Sequence, residues 1–129
     1  MPDWSDLVPV SRKASCFAFV LLFVVSACGA SGPELSEVAA EGQTVFQAHG
    51  CAACHGENGE GDIGPALKGV FGSEVVLEDG SSVETDEAYL RRAILEPDAE
   101  VVAGFTISMP ITNLTDAEVD ALVAYIKEL

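Results

Sequence analysis

Two cysteines and a histidine stand in Cys-x-x-Cys-His order at Cys51, Cys54 and His55, and a methionine, Met109, lies far downstream in "AGFTISMPITNL". Four chemistries use a close cysteine pair. Structural zinc takes four ligands at paired spacings, yet beyond Cys28 the chain offers only Cys51, Cys54, His49 and His55, with no second cluster downstream. A thioredoxin-like redox pair opens a helix after a strand in a βαβ unit; here a helix-like segment precedes the pair and no parallel-sheet pattern follows. A plain disulfide leaves His55 without a part. Covalent haem attachment uses all three residues: thioethers from Cys51 and Cys54 to the porphyrin vinyls, with His55 beneath the iron.

A haem held this way needs a sixth ligand or an open site. Apart from Met1, Met109 is the sole methionine. A lone methionine ordinarily fills a core, but this one sits in a loop-like stretch with Gly104 and Pro110. A thioether opposite a histidine raises a cytochrome's potential and closes the iron to other chemistry, so Met109 is expected as axial ligand. His49, six residues before His55, is expected at the porphyrin edge or in solvent, with no ligand role. Gly56, Gly59, Gly61 and Gly64 follow the motif and are expected to let the backbone turn against a flat macrocycle where β-carbons would clash. A phosphate-binding loop is excluded: no Gly-Lys-Ser/Thr follows, and the stretch is acidic.

These residues need elements to hold them. Val38, Ala39, Gly42, Val45 and Phe46 recur at three and four and predict a helix running into the motif. A second helix is predicted from "TDEAYLRRAIL", capped by Asp86 or Thr85 and stopped at Glu96-Pro97. Thr115 and Glu118 form a capping box ahead of Val119, Leu122, Val123 and Ile126, predicting a third helix to the C-terminus. "EVVLEDGSSVET" alternates about Asp79-Gly80 and suggests a small hairpin. The expected core contact sets Gly42 and Phe46 against Leu122 and Tyr125.

With 129 residues, 49 % of them apolar, the chain suits one small domain. Its net charge of −15 excludes nucleic acid as a partner. Setting aside Asp3, Asp6, Arg12 and Lys13 leaves 19 acids against Lys68, Arg91, Arg92 and Lys127. Such runs usually serve solubility; as a docking device they would suit a partner with a basic face. Residues 14–25 form an apolar run behind Arg12 and Lys13, short for a membrane span and of the kind a secretory leader carries. Its end, "VVSACGASG", resembles a bacterial lipoprotein cleavage box. The reading is therefore a lipoprotein-type signal peptide over 1–27, lipidation at Cys28, a flexible tether over 28–36 and a folded domain over 37–129. This places the domain outside the cytoplasm, periplasmic or on the outer face of the membrane.

The stretches "GCAACHGENGEGDIGPALKGVFG", "VVLEDGSSVETDEAYLRRAILEPDAEVVAGF", "MP" and "LTDAEVDALVAYIKEL" together resemble the small class I c-type cytochromes, most of all the cytochrome c domain of haem-copper oxidase subunit II (caa3-type). The resemblance implies an all-α fold of three to four helices around one covalent haem c, with room for one short hairpin. It implies that Cys51 and Cys54 carry the haem, that His55 and Met109 ligate iron, and that the Pro65 carbonyl accepts the proximal imidazole N–H. The only tryptophan, Trp4, lies in the leader, so a tryptophan contact to a propionate is missing and Arg91, Arg92 or a backbone group must serve. The function implied is single-electron carriage in an exported respiratory chain, to a haem-copper oxidase or other membrane respiratory complex, without enzymatic activity of its own. The alternative is a haem enzyme or gas sensor with a displaceable sixth ligand, against which Met109 weighs.

Overall fold

The computed structural model describes residues 34–129, and its elements run α1 (Glu37–Ala48), α2 (Ala52–His55), β1 (Glu74–Val76), β2 (Ser82–Glu84), α3 (Glu87–Leu95) and α4 (Asp116–Glu128). The expected leader, Trp4 and Cys28 lie outside the described residues. Four helices and one antiparallel hairpin are the small helical architecture expected from the sequence.

Ser36 caps α1, its hydroxyl accepting from the Ala39 N–H at 3.3 Å. Its own N–H and hydroxyl donate to the two carboxylate oxygens of Glu128, at 2.9 and 2.6 Å. Leu35 packs against the core. Leu35 and Ser36, in the stretch assigned to the tether, thus take part in the fold, because a helix needs its cap. Ala39, Gly42, Val45 and Phe46 face inward. Val38, grouped with them by sequence, is 52 % exposed, since one residue turns the helix by about 100°.

The α1–α4 crossing depends on Gly42. A β-carbon there would stand 1.9 Å from the Ala121 carbonyl oxygen and 2.8 Å from the Tyr125 β-carbon. Beside it Phe46 meets Tyr125 edge-on, with centroids 5.5 Å apart. Both halves of the Thr115–Glu118 capping box form at the start of α4. Leu122 and Tyr125 face α1, while Val123 and Ile126 join a second cluster with Leu77, Tyr89 and Leu90.

Asp86, not Thr85, caps α3, its carboxylate accepting from the Tyr89 N–H at 2.7 Å. Thr85 is fully buried and its hydroxyl donates to main-chain carbonyls, among them Ser73 at 2.9 Å. The hairpin pairs Glu74 with Glu84 and Val76 with Ser82 around a turn held by Asp79 and Ser81. Its outer edge takes a further segment: Leu77 bridges Val102, the Glu78 N–H donates to Val101 at 2.8 Å and the Ala103 N–H donates to Val76 at 2.9 Å. The hairpin therefore anchors the stretch that leads to Met109.

Candidate haem site

The motif is built on the end of α1. Gly50, at φ +73°, ends that helix, the Cys51 N–H still donates to the Phe46 carbonyl at 3.0 Å, and the one-turn α2 follows. One turn brings Cys51, Cys54 and His55 to a common wall. His55 is 8 % exposed. Its Nδ1 lies 2.9 Å from the Pro65 carbonyl. A carbonyl can only accept, so Nδ1 carries the hydrogen and Nε2 keeps its lone pair, the form a metal-binding imidazole takes.

Gly64 packs directly on that ring: a β-carbon would stand 2.9 Å from Cε1 and 3.1 Å from Nδ1. Its N–H donates to the Cys54 carbonyl at 2.8 Å, so the loop folds back over α2. The other glycines of the loop sit at tight turns. Gly56, Gly59 and Gly61 have positive φ, and their close neighbours are Glu60, Leu129 and Ala66.

A cavity of about 220 Å³ opens between this wall, α3 and the loop before α4. Cys51, Cys54, His55 and Pro65 line one side; Leu90, Ile94, Phe105 and Met109 are among the residues of the others. Met109 and His55 also share a smaller cleft with Cys54, Ile63 and Ile107. Burial pushes the Cys51 thiol up, the neighbouring Cys54 adding to the effect against a backbone hydrogen bond. Zinc and thiol–disulfide chemistry both ask for a thiolate. Among the described residues, no group of three or more His, Cys, Asp and Glu side chains is arranged to hold a metal ion. A largely apolar slot with two thiols and one tautomer-fixed imidazole on one wall, and a thioether also lining it, fits a haem.

The matching family profile, "Cytochrome c", covers residues 39–129. The chain belongs to the cytochrome c family. Cytochrome c-550 of Bacillus subtilis (strain 168) is 36 % identical over 93 residues, spanning 63 % of this chain and 76 % of that protein. The solved structure of cytochrome cH from Methylobacterium extorquens superposes with a TM-score of 0.51 at 28 % identity, over 70 % of this chain and 98 % of that one. As a mono-haem cytochrome c, the protein carries covalently attached haem c and transfers electrons. Haem bound there supplies one-electron exchange at iron. Of the cytochrome's own residues, Cys51 and Cys54 fit the attachment, and His55 is oriented by Pro65.

Both arginines have acidic partners. Arg91 pairs with Asp116 and Asp120 on α4, Arg92 Nε bonds Glu100 at 3.0 Å, and neither lines the cavity. Tyr89 and Glu100 do line it, and the sequence reading singled out neither. Burial raises the Tyr89 phenol, and Glu100 raises it further. Only the tyrosine within an otherwise aliphatic helix face could have signalled this.

Proposed function

We propose that this cytochrome c is an exported, lipid-anchored carrier that delivers single electrons to a membrane respiratory complex, with a haem-copper oxidase as the leading acceptor. In this reading His55 and Met109 are the axial ligands, Pro65 fixes the proximal ring, and Cys28 carries the lipid. The observation that carries it is that Met109 and His55 line one apolar cavity together with both haem-binding cysteines. Filled axial positions suit a carrier, because little rearranges as iron changes oxidation state. The lipoprotein-like box at Cys28 supports anchoring outside the cytoplasm, and the ordered likeness to oxidase-associated domains supports the acceptor. The acidic surface suits an acceptor with a basic face.

The test is the sixth ligand. The oxidised protein should show the weak red-region absorption of sulfur on ferric iron, Met109→Ala should abolish it, and that variant, once reduced, should bind carbon monoxide readily. A wild type that takes up carbon monoxide at once would reject the carrier.

A further inference from the structure

Met109 is held by neither a helix nor a strand. The Phe105 N–H donates to Val102 at 3.3 Å and the Leu114 N–H to Thr112 at 3.1 Å, each a bond between near neighbours. Among the described residues, no main-chain N–H from Thr106 to Asn113 finds a protein acceptor, and Pro110 has none to give. Burial restrains the stretch little, for Ile107 and Ile111, two residues either side of Met109, are 66 % and 71 % exposed.

Among the described residues, one hydrogen bond ties residues 106–113 to the rest of the chain: the Ser108 hydroxyl donates to the Asp98 carboxylate, ten residues upstream. Asp98 stands on fixed ground. The Ala99 N–H beside it closes the turn after α3 onto Glu96 at 2.9 Å, Glu100 is bonded to Arg92 at 3.0 Å, and Val101 takes the Glu78 N–H of the hairpin at 2.8 Å. Among the described residues no cation pairs with Asp98 and draws it away. The charged acceptor strengthens the bond, and the donor is the residue next to Met109. Both groups are exposed, and such bonds ordinarily add little to global stability. On a stretch with so few other restraints, its effect falls on local opening instead.

We propose that the Ser108–Asp98 bond is the tether that keeps Met109 in the site, and that it sets how readily the sulfur gives way to another ligand. Ser108 and Asp98 are positioning residues and touch no reacting atom. The inference rests on the reading of Met109 as axial ligand and adds to it what holds that ligand in place. When another ligand enters, one coordinate bond to sulfur breaks, one to the newcomer forms, and no electron moves. A hydrogen bond to a charged acceptor, discounted for exposure, makes sulfur departure about three- to tenfold slower than it is without the tether.

The experiment mixes the oxidised holo-protein with imidazole and follows loss of the red-region sulfur band. At saturating imidazole the rate no longer depends on its concentration and reports departure of the sulfur. Ser108→Ala and Asp98→Ala should each raise that limiting rate about three- to tenfold. The double variant should go no further than either single one, since both remove the same bond. Ser108→Thr keeps the hydroxyl and should stay near the wild-type rate. The denaturant midpoint of global unfolding should scarcely move in any of them, which separates a local tether from a general loss of stability. An unchanged rate in Ser108→Ala overturns the inference, as does a rise in Ser108→Thr equal to that in Ser108→Ala, or single effects that multiply in the double variant. A wild type without the band would remove the sulfur ligand, and the inference with it; a band present with rates unmoved overturns the tether alone.

Discussion

Replacing Gly42 with alanine sets two effects of opposite sign against each other. In an isolated helix the change is favourable by about 1 kcal/mol. Here the new β-carbon would stand 1.9 Å from the Ala121 carbonyl oxygen and 2.5 Å from its carbon. A carbon–oxygen contact needs about 3.3 Å, so α1 and α4 must separate by more than about 1 Å. The obstacle is backbone and cannot swing aside. Overpacking costs about 1–3 kcal/mol, and a backbone clash that also loosens the Phe46–Tyr125 contact belongs at or above the upper end. After the helical gain, the net loss is about 2 kcal/mol, or roughly 8–16 °C in melting temperature for a domain of this size. Thermal and denaturant unfolding of the holo-protein, followed by circular dichroism, measures it, with the haem spectrum unchanged as the control. A variant as stable as the wild type, or more so, would refute the close crossing.

The pH dependence of stability has a definite sign at Glu128. Hydrogen bonds from the Ser36 side chain and then its backbone hold the Glu128 carboxyl below its ordinary value of 4.5, so the bound carboxylate contributes fully above that value and the contribution is lost as pH falls through the lower folded-state value. Glu128→Gln should therefore flatten the acid side of the unfolding-midpoint profile and leave its slope at neutral pH alone. Electron transfer to membranes containing the oxidase should slow as ionic strength rises, since 19 acids face four basic residues beyond Cys28. The soluble form for that measurement should begin at residue 34, keeping Leu35 and Ser36; a rate flat in salt would reject electrostatic steering.

What could be read from the sequence was what is local. Cys51, Cys54 and His55 are brought together by a single helical turn, and Thr115 and Glu118 cap a helix within their own four residues, so pattern and structure coincide. Gly42, Phe46, Leu122 and Tyr125 were legible because a helix period and one small residue already specify a crossing. What depended on distant segments was not. That Glu100 faces the cavity goes with the hairpin gripping residues 101–103, and that Tyr89 does goes with the packing of α3; no spacing announces either. Arg91 and Arg92 could be listed as cations, but their partners on α4 and at Glu100 are set by tertiary packing. The positive-φ glycines were recognised as turns, while the protein atoms beside them, at Glu60, Leu129 and Ala66, come from the folded loop and the C-terminus. The bond of Ser36 to Glu128 was not legible because the two lie 92 residues apart.

That last contact gives the fold a property its helices alone do not suggest. Glu128 takes both polar hydrogens of Ser36, so the start of α1 and the end of α4 lie side by side. A few flexible residues could join Leu129 back to residue 34 with little strain, turning the described chain into a closed loop. Such a loop can be reopened where the backbone is exposed and only locally bonded, as at Gly80 in the hairpin turn. The rearranged chain would start on β2 and finish on β1, with the α1–α4 crossing built across the new join and the Cys51–His55 segment undisturbed.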